Sequence, residues 1–469
     1  MGKILGAYLL PHPPIVISEI GRGEESKTAN TIRAMKQVAS DIGKKKPDTI
    51  ILVTPHGPMF SDAIAISYEK TLKGSFERFG NSDLAYTFSN DLELVDKIVR
   101  NAGDVDVVCA KVDKEFAKEY GVSAELDHGA LVPLYFINNE YKDFNLVHIT
   151  YGLLSPIELY KFGMAINKSI NETLKDVVFI ASGDLSHKLT KDAPAGYNAR
   201  GRDFDEEIVY LLEKGNFEGI MTIEPEFAEA AGECGLRSLQ IMCGLLDDYN
   251  TTSEVHSYEG PFGVGYCVAS IDVLEKSDRH KLLQKLIQRE KETIKNIRNN
   301  EDEYVKLARN SLEFYVKNKR KMNMPENLPS TMLNEKAGVF VSIKKDGKLR
   351  GCIGTIQPSE ENIAKEIIEN AVKAGADDPR FYPVEQDELD KLIYSVDILK
   401  KPEEVISIDE LDVYKYGVIV KKGNKTGLLL PALDGIDTPE QQVSIALQKA
   451  GINPTEGYSL YRFEVERHG

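Results

Sequence analysis

The chain has 469 residues, 42% of them hydrophobic and 28% charged, which is too long for one typical domain and ordinary in composition for a soluble protein. Its formal net charge of −16 argues against broad binding to nucleic acid or to an anionic membrane surface, since both would be repelled. Five cysteines, at 109, 234, 243, 267 and 352, are odd in number, widely spaced and without a CxxC pair, which argues against a disulfide framework or a zinc knuckle and for a reducing, cytoplasmic setting.

The apolar run Ile4–Leu10 reads as a strand, and Pro11, Pro13 and Pro14 end it. The N-terminus is therefore expected to be a buried strand and loop rather than a signal peptide. No apolar run approaches the length of a membrane span. Lys27–Ile42 reads as a helix and Thr49–Thr54 (TIILVT) as a strand covered on both faces. The same apolar pattern recurs at Asn145–Tyr151 and Val177–Ala181, with helix-like segments between, and a last strand is expected at Gly265–Val273. This alternation predicts an α/β domain over residues 1–272, a central sheet flanked by helices.

Glu275–Glu303 is dense in charge, with Leu282, Leu283, Leu286 and Ile287 at helical spacing. It reads either as an exposed linker helix (273–298) or as the first helix of a second domain (299–469). In that second, α+β domain, Tyr304–Tyr315 predicts a helix. Gly338–Ile343 and Lys348–Ile353 predict a hairpin turning at Lys345-Asp346-Gly347. Glu361–Ala374 (helix), Leu392–Leu399 (strand), a hairpin of Tyr416–Lys421 with Gly427–Pro431, Pro439–Ala450 (helix) and Tyr461–Val465 (strand) follow.

Four of the eight histidines stand at a strand end or a few residues beyond, next to Gly, Pro or Asp: His12, His56, His128 and His187. Ligands in open α/β sheets gather at the carboxyl ends of strands, so separate strands can deliver His12 and His56 to one crevice. Imidazole is a common ligand for borderline metals, and two His plus a carboxylate is a recurrent Fe(II) arrangement. Glu233, in EAAGECGLRSLQ, offers the carboxylate, and Gly232 and Gly235 on either side allow close backbone approach.

PHPP at 11–14, TPHGP at 54–58, LDHGALVPL at 126–134 and SGDLSH at 182–187 together resemble, in order, the signature segments of LigB-like class III extradiol dioxygenases. The related Memo family shares that fold. The resemblance implies that His12 and His56 are metal ligands, with Glu233 as the carboxylate ligand. It implies His187 as the acid/base histidine and His128 as a histidine near the oxygen and substrate position. Asp127 and Asp184 are expected to orient imidazoles through hydrogen bonds. The implied activity is cleavage of a catechol-like aromatic with O2 at Fe(II), His187 taking the substrate's second phenol proton. Memo-type proteins carry Cys where the dioxygenases carry Glu, and here Glu233 and Cys234 are adjacent. A thiolate ligand favours softer metals such as Zn or Cu and a redox or modification role without ring cleavage.

LRGCIGT at 349–355, supported by DDPRFYPV at 377–384, resembles the AMMECR domain family, here over about 295–469. Arg350, Cys352, Asp378 and Arg380 are candidates for a site there, with Arg350 near enough in sequence to favour a Cys352 thiolate. The alternative is that Cys352 is a small buried hydrophobe. The pairing of domains resembles the AmmeMemoRadiSam grouping, which implies a separate radical-SAM protein partner.

Overall fold

The computed structural model describes residues 1–277, 282–433, 435–455 and 457–469. It divides into two compact units, Met1–Gln288 and Arg289–Gly469. A helix, Leu282–Asn299, spans the division, and residues 278–281 of the predicted linker lie outside the described residues.

The first unit is built on an eight-stranded sheet. Its strands are β1 (Lys3–Leu10), β2 (Thr49–Thr54), β3 (Ile64–Ser67), β6 (Cys109–Val112), β7 (Asn145–Thr150), β8 (Asp176–Ser182), β9 (Tyr249–Glu259) and β10 (Tyr266–Lys276). Their order is β6-β3-β7-β2-β8-β1-β10-β9. The four central strands β7, β2, β8 and β1 are mutually parallel. They are also the most apolar: every residue of TIILVT is buried, as strands covered on both faces require. Alternate residues feed two cores. Ile51, Val53, Val147 and Phe179 face one side, and Ile50, Leu52, Leu146 and Ile180 the other, where Met35 and Val38 of the helix Ala29–Lys45 pack.

Two antiparallel features lie outside the sequence expectation. β9 pairs with β10, and β10 with β1 in antiparallel sense, so the sheet is mixed. A separate hairpin joins β4 (Thr71–Phe76) to β5 (Asn81–Ser89). Both β5 and β9 are largely exposed or half-buried, and strands covered on one face lack the continuous apolar run that marks the central four.

The second unit has two four-stranded sheets and helices including Glu303–Asn318, Ile363–Ala376 and Pro439–Ala450. One sheet, in the order β12-β11-β13-β18, comprises β11 (Gly338–Lys345), β12 (Lys348–Gly354), β13 (Leu392–Leu399) and β18 (Val465–His468). The other, in the order β14-β17-β15-β16, comprises β14 (Glu403–Val405), β15 (Gly417–Lys422), β16 (Lys425–Leu429) and β17 (Ser459–Phe463). The hairpin turn between β11 and β12 is Asp346-Gly347, both at positive φ (53° and 77°), as a two-residue turn matched to strand twist requires. The single strand expected at Tyr461–Val465 is instead two. The chain changes sheet at Glu464, ending β17 and opening β18.

Candidate metal centre

His12 and His56 each lie two residues beyond a parallel strand, β1 and β2, and β8 runs between those strands. Strands two apart in a sheet are separated by roughly 10 Å, within reach of two imidazoles turned toward each other over the end of β8. Their Nε2 atoms are 2.9 Å apart. His128 opens the helix His128–Glu140 and stacks on His56 at a centroid distance of 4.2 Å. One ligand atom from each of His12, His56 and His128 lies within 4.8 Å of the others.

The proton positions suit a cation. Pro133 lies inside the helix and has no N–H, so the carbonyl of Gly129, four residues back, lacks its helical donor. Ser182, the last residue of β8, donates to that carbonyl at 2.5 Å. With its proton committed, the Ser182 hydroxyl can only accept from His12 Nδ1, 2.9 Å away. His12 therefore carries its proton on Nδ1 and turns the Nε2 lone pair toward His56.

All three rings are held neutral. Burial, then His56, pushes His12 well down. Burial, then His128, lowers His56. Burial, then His12, pushes His128 down to about 4. Three neutral imidazoles with converging nitrogens match what Fe(II), Zn or copper takes as ligands. Two imidazole nitrogens each about 2.0–2.1 Å from one ion lie roughly 3 Å apart, close to the His12–His56 spacing of 2.9 Å. The donor set fits a metal ion.

Glycines admit this crowding. A Cβ on Gly57 would stand 2.1 Å from Thr150 Oγ1, and one on Gly129 would stand 2.3 Å from Thr54 Oγ1. A Cβ on Gly183 would meet Gly235 Cα at 2.2 Å. That contact locks SGDLSH against GECG. Cys234 N–H donates to Asp184 O (3.2 Å), and Asp184 N–H donates to Cys234 Sγ (3.3 Å). The sulfur lies 3.7 Å from His12 Nε2. Burial, then the Asp184 carboxylate, pushes the Cys234 thiol well up.

Glu233 is the carboxylate expected as a ligand. It accepts from Leu236 N–H at 2.6 Å, and among the described residues it is not in the imidazole group. Asp184 accepts from the backbone N–H of His12 (2.9 Å), with its other oxygen 3.9 Å from Nε2. Burial pushes its carboxyl up to about 6. Asp127 orients a histidine absent from the sequence expectation. It accepts from Thr54 Oγ1 (2.7 Å), Ala130 N–H (3.2 Å) and His148 Nε2 (3.0 Å). Burial opposes ionisation of Asp127, but the bonds from His148 and Thr54 overcome it and hold the carboxyl well below its usual range. The only trace of His148 in the sequence is a ring-bearing polar residue inside the apolar run NLVHITY. His187 is close enough for its charge to act on His12 and Asp184, and its buried Nδ1 has no hydrogen-bond partner among the described residues.

In the second unit, Cys352, Asp378 and Arg380 come together. Cys352 N–H donates to Asp378 (2.9 Å), Arg380 donates to Cys352 O (3.0 Å), and Arg380 pairs with Asp378 (2.7 Å). The thiol of Cys352 receives the Ser342 hydroxyl (3.2 Å). Arg350 is engaged elsewhere, in a two-point pair with Glu388 (2.8 and 2.9 Å) and on Tyr382 O (2.9 Å), rather than beside the thiol. The hallmark glycines are packing positions: a Cβ on Gly351 would stand 2.1 Å from Ala374 O, and one on Gly354 2.2 Å from the Phe340 ring.

Residues 6–269 match the family model "Catalytic LigB subunit of aromatic ring-opening dioxygenase", and residues 305–468 match AMMECR1. Protein CA_C1420 of Clostridium acetobutylicum is 47% identical over 99% of this chain and 98% of its own. A Thermotoga maritima protein is 52% identical over 30% of this chain and 83% of its own. The structure of Uncharacterized Protein PH0010 from Pyrococcus horikoshii is 32% identical, covering 35% of this chain and 88% of that one, with a TM-score of 0.33. No helix among the described residues is long and apolar enough to cross a membrane. The chain belongs to the LigB family of the aromatic ring-opening dioxygenase catalytic subunit, with an AMMECR1 domain following the LigB domain in the same polypeptide.

Proposed function

We propose that the first unit is a metal-dependent redox or modification factor, binding one transition-metal ion through His12, His56 and Cys234 with His128 in reach, and that it does not cleave aromatic rings. The observation that carries this reading is the sulfur of Cys234 3.7 Å from His12 Nε2, while the Glu233 carboxylate serves the Leu236 N–H. Nitrogen and sulfur donors favour Zn, copper or Fe over the oxygen-rich sets of harder ions. The bound ion would supply Lewis acidity or electron transfer. Ser182 and Asp184 hold His12 by its ring and its backbone N–H. His187, whose Nδ1 is buried without a partner among the described residues, is the group suited to take a proton from a ligand and return it.

A second reading, extradiol cleavage of a catechol-like aromatic with O2 at Fe(II), draws support from the match of residues 6–269 to the LigB family model. Metal analysis of anaerobically purified protein, followed by a catechol panel with O2, separates the two. One ion per chain is expected, retained in Glu233→Gln, weakened by about tenfold or more in His12→Ala and Cys234→Ser, with no catechol consumed. Ring cleavage by the unaltered protein, abolished in Glu233→Gln and kept in Cys234→Ser, would establish the dioxygenase reading instead.

A further inference from the structure

Four side chains gather around Cys352 in the second unit: Ser342, Asp378, Arg380 and Lys449. β12, which carries Cys352, is an edge strand of its sheet. The Cys352 backbone is pinned at both polar groups, its N–H donating to Asp378 at 2.9 Å and its carbonyl accepting from Arg380 at 3.0 Å. Across the ladder Cys352 lies directly opposite Ser342 of β11, and the side chains of such a cross-strand pair share one face of the sheet. The Ser342 hydroxyl therefore reaches the sulfur and donates to it at 3.2 Å.

Two cations complete these surroundings. Arg380 is held by Asp378 at 2.7 Å, and its guanidinium is also within hydrogen-bonding reach of the Cys352 side chain. Lys449 comes from the last turn of the helix Pro439–Ala450. That helix packs tightly on the other sheet of the unit, where a Cβ on Gly427 of β16 would stand 2.0 Å from Ala446 O. Lys449 is near enough to Cys352 and Arg380 for both charges to act on it. Partial burial, opposed by Cys352 and aided by Arg380, lowers the ammonium, so that it gives up its proton more readily than a free lysine does. No carboxylate pairs with Lys449 among the described residues.

The other four cysteines lack this setting. Burial pushes the thiols of Cys234, Cys243 and Cys267 up. Cys109 is half-buried like Cys352, and burial alone pushes its thiol up to about 12. Positive charge beside the sulfur, together with access to solvent, is what makes a cysteine oxidisable. Of the five, Cys352 is the one that combines them.

We propose that Cys352 is a site of reversible oxidation by hydrogen peroxide, with Lys449 giving a proton to the departing oxygen and Ser342, Arg380 and Lys449 holding the sulfenate that forms. The thiolate sulfur attacks one peroxide oxygen. An S–O bond forms as the O–O bond breaks, and two electrons pass from sulfur to peroxide. Hydroxide leaves and takes a proton from Lys449 to become water. The proton of the sulfenic acid then restores the ammonium, leaving sulfenate and Lys449 as an ion pair. Residues 289–469 contain no second cysteine, so a small external thiol reverses the step, forming a disulfide with Cys352 as water is lost. The reaction needs no ion at His12 and stands whether or not that centre binds one.

The test treats the full chain with hydrogen peroxide, with a chelator present, traps sulfenate with dimedone and reads each cysteine by peptide mass spectrometry. Cys352 is expected to react about tenfold or more faster than Cys109. Lys449→Gln should slow Cys352 by about fivefold or more and leave Cys109 unchanged, while Lys449→Arg, which keeps the charge, should recover part of the rate. Circular dichroism verifies the fold of each variant. An adduct at Cys352 that forms no faster than that at Cys109, no adduct at Cys352, or equal Cys352 rates in the unaltered protein and Lys449→Gln would each overturn the proposal.

Discussion

The Ser182 hydroxyl stands between the Gly129 carbonyl and the Nδ1 of His12, donating to the first at 2.5 Å and accepting from the second at 2.9 Å. One hydroxyl thereby closes the gap that Pro133 leaves in its helix and sets the tautomer of a histidine contributed by a different strand.

Replacing Ser182 by Ala removes both bonds. Two buried groups, Gly129 O and His12 Nδ1, lose their partner, at about 1–3 kcal/mol of stability. The larger effect is expected on metal uptake. Without a fixed Nδ1 proton, His12 samples the wrong tautomer, and affinity should fall about 10–100-fold. Competition with a chromophoric chelator measures it. Unchanged affinity in a folded Ser182→Ala protein would show that the hydroxyl does not set the tautomer.

Gly183→Ala tests the contact that brings Cys234 to the centre. The added Cβ would meet Gly235 Cα at 2.2 Å, and backbone cannot give way as a flexible side chain can. Overpacking of this kind costs about 1–3 kcal/mol. The displacement should also move the Cys234 sulfur, so that cobalt-substituted protein loses its thiolate-to-metal charge-transfer band while keeping imidazole coordination. Retention of the band at full intensity would argue against Cys234 as a ligand.

Asp205 makes stability fall with rising pH. Its carboxyl, fully buried, accepts from Ser186 N–H (2.7 Å) and Tyr258 Oη (2.8 Å). Burial outweighs those two bonds and pushes it up to about 7. An unfolded aspartate titrates near 3.9. Between about pH 4 and 7 the folded chain therefore holds a proton that the unfolded chain has released, and stability declines across that window by an amount on the order of a few kcal/mol. Asp205→Asn, neutral throughout, should flatten this part of the profile. Urea midpoints of both proteins from pH 4.5 to 7.5 check it, and parallel profiles would refute it.

Asp378 acts with the opposite sign. Its hydrogen bond with Arg380, and further bonds that include Cys352 N–H, hold the carboxyl down at about 2. This stabilisation is complete above about pH 4 and is lost as pH falls toward 2. Asp378→Ala should cost about 1.5–3 kcal/mol at neutral pH and should expose the Cys352 amide to faster hydrogen exchange. An unchanged exchange rate at Cys352 would mean that Asp378 does not hold that backbone.

Much of this fold is legible in the sequence. The four central strands announced themselves as unbroken apolar runs, and His12 and His56 as histidines just past the ends of two of them. The one-sided strands β5 and β9 carried no comparable signal. His148 was hidden because an imidazole inside an apolar strand looks like an exception to the strand rather than part of a site. Arg350 misled for the converse reason: two residues from Cys352 in sequence, it is drawn to Glu388, a residue 38 positions away.

By itself, the order of residues determined the family, the central strands and the crevice into which His12 and His56 fall, because periodicity and strand ends are properties of local sequence. Only the tertiary structure set the Cys234 sulfur 3.7 Å from the His12 ring, brought His128 onto His56 and paired His148 with Asp127. Adjacent side chains leave the backbone in different directions. Which of them meets a distant imidazole depends on how closely two separate segments, here at Gly183 and Gly235, can pack.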